Sequence, residues 1–124
     1  MSAVIVAERT TEESIQYWGE QQDALGFETV WSIWECPSVD MQLFKNKSYR
    51  VFYRFLAADA TVEQIMNGTA EEIEVSAFTA GGTVRDLWAA AETCYQQAKQ
   101  QGDWHKFIEN FEATDEGFEM VMGS

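Results

Sequence analysis

The sequence predicts an α+β fold, a mostly antiparallel sheet with helices packed on one face, and three observations carry that prediction. Residues 80–101 (AGGTVRDLWAAAETCYQQAKQQ) place Val84, Leu87, Trp88, Ala91, Cys94, Tyr95 and Ala98 at the spacing of one continuous helical stripe, which needs an apolar surface to lie on. Residues 49–57 alternate as a strand does, with Tyr49, Val51, Tyr53 and Phe55 on one side and Arg50, Phe52, Arg54 and Leu56 on the other. The elements run strand, helix, three strands, short helix, strand, long helix, two strands, an order that lays helices on a sheet rather than alternating them regularly with its strands. A ferredoxin-like core is one arrangement that fits this order. At 124 residues, 46% of them apolar and 14% aromatic, the chain is a single domain (1–124) able to bury one core without staples.

Taken in order, residues 3–7 (AVIVA) are uniformly apolar and largely β-branched, as in a central strand covered on both faces. Thr10 or Thr11 then caps a helix over residues 11–25, in which Ile15, Trp18 and Leu25 form a thin stripe. Gly19 weakens this helix by about 1 kcal/mol relative to alanine, and Gly26 ends it. Residues 27–36 (FETVWSIWEC) are rich in β-branched and aromatic types and predict a strand that Pro37 interrupts. Residues 39–44, the polar tetrad Lys45, Asn46, Lys47 and Ser48, and residues 49–57 read as a hairpin.

Asp59 and Thr61 can cap one or two helical turns that end at Gly68, and residues 72–78 make a short strand with Ile73, Val75 and Ala77 facing one way. In the principal helix Thr83 is the N-cap, Asp86 returns a hydrogen bond to the cap's own amide, and Gly102 supplies the left-handed stop. Its opposite face carries Arg85, Glu92, Gln96, Lys99 and Gln100. For residues 103–122 a helical stripe (Trp104, Phe107, Ile108, Phe111) competes with a hairpin. The hairpin is preferred, because Asp115, Glu116 and Gly117 are turn residues and Met120 and Met122 alternate with Glu119 and Val121.

Charge narrows the function. Twenty-one acidic residues against eight basic ones give a formal charge of −13, which repels nucleic acid and anionic membranes over most of the surface. No stretch approaches the roughly 20 apolar residues that span a bilayer, and residues 3–7 lack the length and basic flank of a secretory leader. We therefore expect a cytoplasmic protein whose two cysteines, Cys36 and Cys94, stay reduced. Cys94, on the helical stripe, reads as a small hydrophobe.

Catalytic material is sparse. His105 is the lone histidine, so no histidine cluster and no Cys/His metal set can be assembled, and beside Asp103 and Lys106 it reads as a surface residue. Serines have no identifiable base, and Glu71, Glu72 and Glu74 read as solvated strand-edge charges. We expect no catalytic residue, no metal and no cofactor.

Two places suit a ligand. Four of the eight basic residues, Lys45, Lys47, Arg50 and Arg54, lie in the central hairpin. Arg50 and Arg54 share a strand face with Phe52 between them, so two guanidinium forks and a ring could grip a flat anion such as a nucleotide. The competing reading pairs those arginines with carboxylates of neighbouring strands. The Gly81, Gly82, Thr83 turn opens a helix whose free amides suit a phosphate or carboxylate; its plainer reading is a flexible connection already satisfied by Asp86. Trp31 and Trp34 point to opposite faces of their segment, so one can be core and the other must meet a helix, a ligand or another subunit; a homodimer that covers it is the favoured reading.

The tail from Thr83 onward, with its TVRDLWAAAE helix, the GDWHKFIENFE segment and the closing GFEMVMGS, resembles the C-terminal portion of small uncharacterised proteins from phage and environmental genomes. The resemblance covers about a third of the chain, brings no catalytic motif, and implies a small accessory protein. Together these readings favour a non-enzymatic acidic protein, of phage or bacterial type, that binds a host protein. A binder of a nucleotide-like anion using Arg50, Arg54 and the Gly81 to Thr83 turn is the alternative. A dimeric ferredoxin-like enzyme using a carboxylate or His105 is the third.

Overall fold

The computed structural model describes residues 10–33 and 36–123. The strand expected at residues 3–7, and Trp34, lie outside the described residues. The elements are α1 (Thr11–Leu25), β1 (Arg50–Leu56), α2 (Val62–Met66), β2 (Glu72–Phe78), α3 (Val84–Gln100), β3 (Phe107–Thr114) and β4 (Gly117–Gly123). The strands form one sheet in the order β2-β1-β4-β3. β1 pairs antiparallel with β2 and β3 antiparallel with β4, while the central contact of β1 with β4 is parallel. The chain is thus α+β with a mostly antiparallel sheet. A ferredoxin-like sheet is antiparallel throughout, and the parallel β1–β4 contact separates this fold from it.

α3 lies across β1 and β2. Every residue of its expected stripe is buried, from Val84 to Ala98. Trp88 is the largest side chain among the described residues with no exposed surface, and burial of such a residue contributes on the order of 3 kcal/mol. The Cys94 thiol points at the Val51 carbonyl at 3.5 Å, and burial pushes its pKa up to about 12. All three helices start as the sequence directs. Thr10, Thr61 and Thr83 each close a capping box, with Glu13, Gln64 and Asp86 as the returning side chains. Gly26 and Gly102 follow α1 and α3 with φ of 73° and 95°, the left-handed conformation glycine adopts at no steric cost.

Two expected strands are corrected. Among residues 27–33 only Val30 pairs, through an isolated parallel bridge to Phe107, with Val30 N–H donating to the Lys106 carbonyl and Ile108 N–H to the Val30 carbonyl. The segment is held by side chains instead. Trp31 is wedged edge-on between Trp88 and Phe111, with centroids 6.3 and 5.1 Å away. Thr29 is fixed by Glu92, which also corrects the polar-face placement of that residue. The Glu92 carboxylate accepts from the amides of Glu28 and Thr29 and from the Thr29 hydroxyl, whose oxygen in turn accepts from the Trp88 indole.

Residues 39–44 likewise do not form a hairpin with β1. They wrap the start of α3, with one bridge between Gln42 and Thr83 and with the Val84 and Arg85 amides donating to the Met41 and Val39 carbonyls. β1 finds its partner in β2 instead. β2, and the two-residue turn joining β3 to β4, lie where the sequence puts them. Trp31 is 5% exposed, so it is the core member of its pair. The expectation of a dimer then rests on Trp34, outside the described residues.

Candidate functional site

The side chains at both sequence-predicted ligand sites are engaged within the molecule. On the sheet face away from α3, Arg50 Nη2 meets Glu74 Oε2 at 3.0 Å and Arg54 Nε meets Glu74 Oε1 at 3.1 Å. Glu116 approaches the same two guanidiniums at 4.0 and 3.6 Å. Both guanidiniums lie over the Phe52 ring, 4.7 and 5.2 Å from its centroid, and that ring is 1% exposed. The hydrogen bond from Arg54, joined by that from Arg50, holds the Glu74 carboxyl below its ordinary range. Phe52 is therefore a sheet residue roofed by cations whose charges are answered by strand-neighbour carboxylates, as the competing reading of the sequence had it.

The Gly81, Gly82, Thr83 turn approaches the chain itself. The Gly82 carbonyl accepts from the amides of Leu43 and Phe44 at 2.8 and 3.1 Å. A Cβ on Gly82 would collide with the carbonyls of Phe44 and Lys45, which is why glycine stands there. The amides at the head of α3 are all taken. Thr83 N–H donates to Asp86, Val84 N–H to the Met41 carbonyl, Arg85 N–H to the Val39 carbonyl and Asp86 N–H to the Thr83 hydroxyl. This turn leads into the helix that covers the core face, so it does not share a surface with Arg50 and Arg54.

A third place emerges from the topology. β1 and β4 pair at only two positions, Val51 with Phe118 and Phe52 with Glu119. Beyond them their ladder stops, and residues 53–56 of β1 and 119–122 of β4 become opposite walls of a cleft of about 650 Å³. Ala57, Ala58, Ala60 and Ile65 close it on one side, and Gly102, Asp103, Trp104 and His105 on another. Clefts at diverging strand ends are where open sheets commonly receive ligands.

Its polar feature is a three-residue network. The Asp103 carboxylate, 6% exposed, is hydrogen-bonded to His105 Nδ1 at 2.9 Å through one oxygen and accepts from the Tyr53 hydroxyl at 3.0 Å through the other. Burial first, then the Asp103 charge, raises the Tyr53 pKa, so the phenol stays protonated and donating. The second His105 nitrogen, Nε2, is left to exchange one hydrogen bond with a ligand. Trp104 stacks on the imidazole, with centroids 3.9 Å apart and planes 23° from parallel. Glu112 and Glu119, direct cross-strand neighbours, add two carboxylates to the lining.

The rim is apolar. Leu56, Ile65 and Trp104 line the cleft yet are 43%, 49% and 66% exposed, and α2, which carries Ile65, also exposes Val62 and Met66. No residue of α2 is buried. The sequence places His105 beside Asp103 and reads His105 as a surface residue; Tyr53, 50 positions from Asp103, gives no local signal of joining them. The signal that was available is α2 itself, a capped helix with apolar residues and no stripe long enough to bury.

No protein-family model matches the chain, and no curated protein and no solved structure matches it significantly. No helix among the described residues is long and apolar enough to cross a membrane.

Proposed function

We propose that the protein works by binding a partner protein, and that the cleft between β1 and β4 is where a segment of the partner docks. The observation that carries this reading is the gathering of exposed large apolar side chains, Leu56, Ile65 and Trp104, on the rim of one cleft. Exposed apolar surface bounding a concave site marks interaction surfaces, and tryptophan is enriched at their hot spots. Glu112 and Glu119 on the lining, in a chain of net charge −13, suit a segment that combines apolar side chains with lysine or arginine. The resemblance of the tail to phage proteins makes a host protein the natural partner.

Affinity capture from a lysate at low salt tests this, with Ile65→Asp and Trp104→Ser as rim variants and Phe78→Ser as a control at an exposed apolar residue outside the cleft. We expect the wild type and the Phe78 variant to retain the same protein, released by salt, and both rim variants to lose it. Capture indifferent to the rim, or no capture, contradicts the reading. A second reading, a small molecule in the same cleft, is favoured by the part-buried Tyr53, Asp103 and His105 network. Native mass spectrometry separates the two, since a small ligand adds a few hundred daltons to the purified chain.

A further inference from the structure

The cleft between β1 and β4 interrupts the sheet, and the interruption turns backbone as well as side chains toward it. The Tyr49 carbonyl accepts from the Thr79 amide at 2.8 Å, and the Ala57 amide donates to the Glu71 carbonyl at 2.9 Å. Along a strand the N–H and C=O of successive residues point to alternate edges. The odd-numbered residues of β1 therefore turn theirs to β2, and Arg54 and Leu56 turn theirs to the β4 side. β1 and β4 pair last at Phe52 with Glu119. On the opposite wall, the two-residue turn after Thr114 makes Thr114 and Gly117 a hydrogen-bonded pair, and alternation then directs the Met120 carbonyl toward β1. These are the edges of one sheet that has parted, and an open edge is a template for another strand.

The two faces of the gap differ in chemistry. Residues paired across strands share a face, and Phe52 pairs with Glu119, which pairs with Glu112. Glu112 and Glu119 therefore stand with Arg54 on the face away from α3, where the Arg54 guanidinium is already held by Glu74 at 3.1 Å. Tyr53, Phe55, Met120 and Met122 belong to the other face and pack with the core. Residues of both sets line the cleft.

The geometry points to strand addition: the partner segment that docks in the cleft is an extended stretch of alternating apolar and basic residues, inserted between β1 and β4 of the four-stranded sheet. The inference rests on the partner-binding reading of the cleft and states how the partner is held. β1 and β4 run the same way, so one inserted orientation is antiparallel to both, and its successive amides and carbonyls serve the two walls in turn. Its apolar side chains fall on the Phe55 and Met120 side, and its lysines or arginines on the Glu112 and Glu119 side. A helix satisfies its own backbone and would leave the Arg54 and Leu56 edge unpaired.

The probe is an acetylated and amidated five-residue peptide of alternating lysine and valine, titrated into the full-length ¹⁵N-labelled protein. Its comparators are the same peptide N-methylated at each valine, which removes the donors along one edge, and a peptide with glutamate in place of lysine. We expect the Arg54 and Leu56 amides to shift saturably and, at saturation, to exchange more slowly with solvent, while the Tyr53 and Phe55 amides, already given to β2, keep their rates. The N-methylated and glutamate peptides should not bind, and Glu112→Gln combined with Glu119→Gln should weaken the lysine peptide about fivefold. No saturable shift of Arg54 and Leu56 in the wild type overturns strand addition whatever the variants do. So do shifts confined to the rim and the His105 ring, which would mean an occupant held by side chains alone, and so does an N-methylated peptide that binds equally well. Rim-dependent capture of a partner is read independently of these titrations, so a failure of strand addition and a failure of partner binding are told apart.

Discussion

Glu92 shows how a residue's role is set by what the fold brings to it. On the helical wheel it belongs with the polar arc of α3, yet it is 8% exposed and receives the amides of Glu28 and Thr29, the Thr29 hydroxyl and, at 2.8 Å, the Gln96 side chain. Glu28 and Thr29 lie more than 60 positions earlier, so nothing near Glu92 in the chain announces them. Glu92→Ala strands these donors, and we expect urea denaturation to show a loss of about 2–3 kcal/mol. Tyr53 is the second such residue. Its pKa is raised in the folded state, so the stability it contributes is whole below about pH 10, where an unfolded tyrosine ionises, and declines as pH rises beyond that. Thermal transitions of Tyr53→Phe should therefore fall less steeply above pH 10 than those of the wild type. The alternation of β1 groups Tyr53 with Val51 and Phe55, and that face is the core one; what periodicity cannot supply is that Asp103 ends there too.

At the scale of elements, what could be read from the chain was whatever is decided locally. Three helices, their caps, β2 and the β3–β4 hairpin follow from spacing, hydroxyl N-caps and turn residues within a few positions of one another. Residues 27–33 and 39–44 went the other way. Their β-branched and aromatic content fits a pleated, half-buried surface, but their side chains and amides are claimed first by α3 and the turn before it: Trp31 by Trp88, Thr29 by Glu92, and the Leu43 and Phe44 amides by Gly82. Propensity describes what a segment can do if an edge is offered, and here the edge of β1 goes to β2. The arrangement makes Gly82 a structural joint rather than a phosphate cradle. Gly82→Ala drives a methyl into the Phe44 and Lys45 carbonyls, and we expect it to cost about 1–3 kcal/mol in chemical denaturation, with the 39–46 segment exchanging its amides faster.

Over the whole molecule, one sheet face carries the core under α3 and the 27–33 segment, and the other is a lattice of Arg50 and Arg54 with Glu74 and Glu116 over Phe52. The candidate ligand groups named from the sequence were the right residues for that face, but the cross-strand register that sets Arg54 opposite Glu74 decides that they serve the sheet. Glu74 is depressed by its arginines, and Glu28 by the hydrogen bonds from Gln96 and Lys99, so the stability these pairs contribute is present above the ordinary carboxylate range and lost as pH falls through it. Between pH 5 and pH 3, roughly where model carboxylates titrate, the thermal transition of Glu74→Gln should drop less than that of the wild type. With those charges internally matched, the docking site proposed above is the cleft where β1 and β4 part.

The most direct test of that account is photo-crosslinking from defined positions of the full-length protein in lysate. A benzophenone side chain is placed in turn at Ile65, Trp104 and, as control, Phe78. The account predicts crosslinks to one common protein from the first two positions and none from the third. Crosslinks from all three alike, or from Phe78 alone, would contradict it.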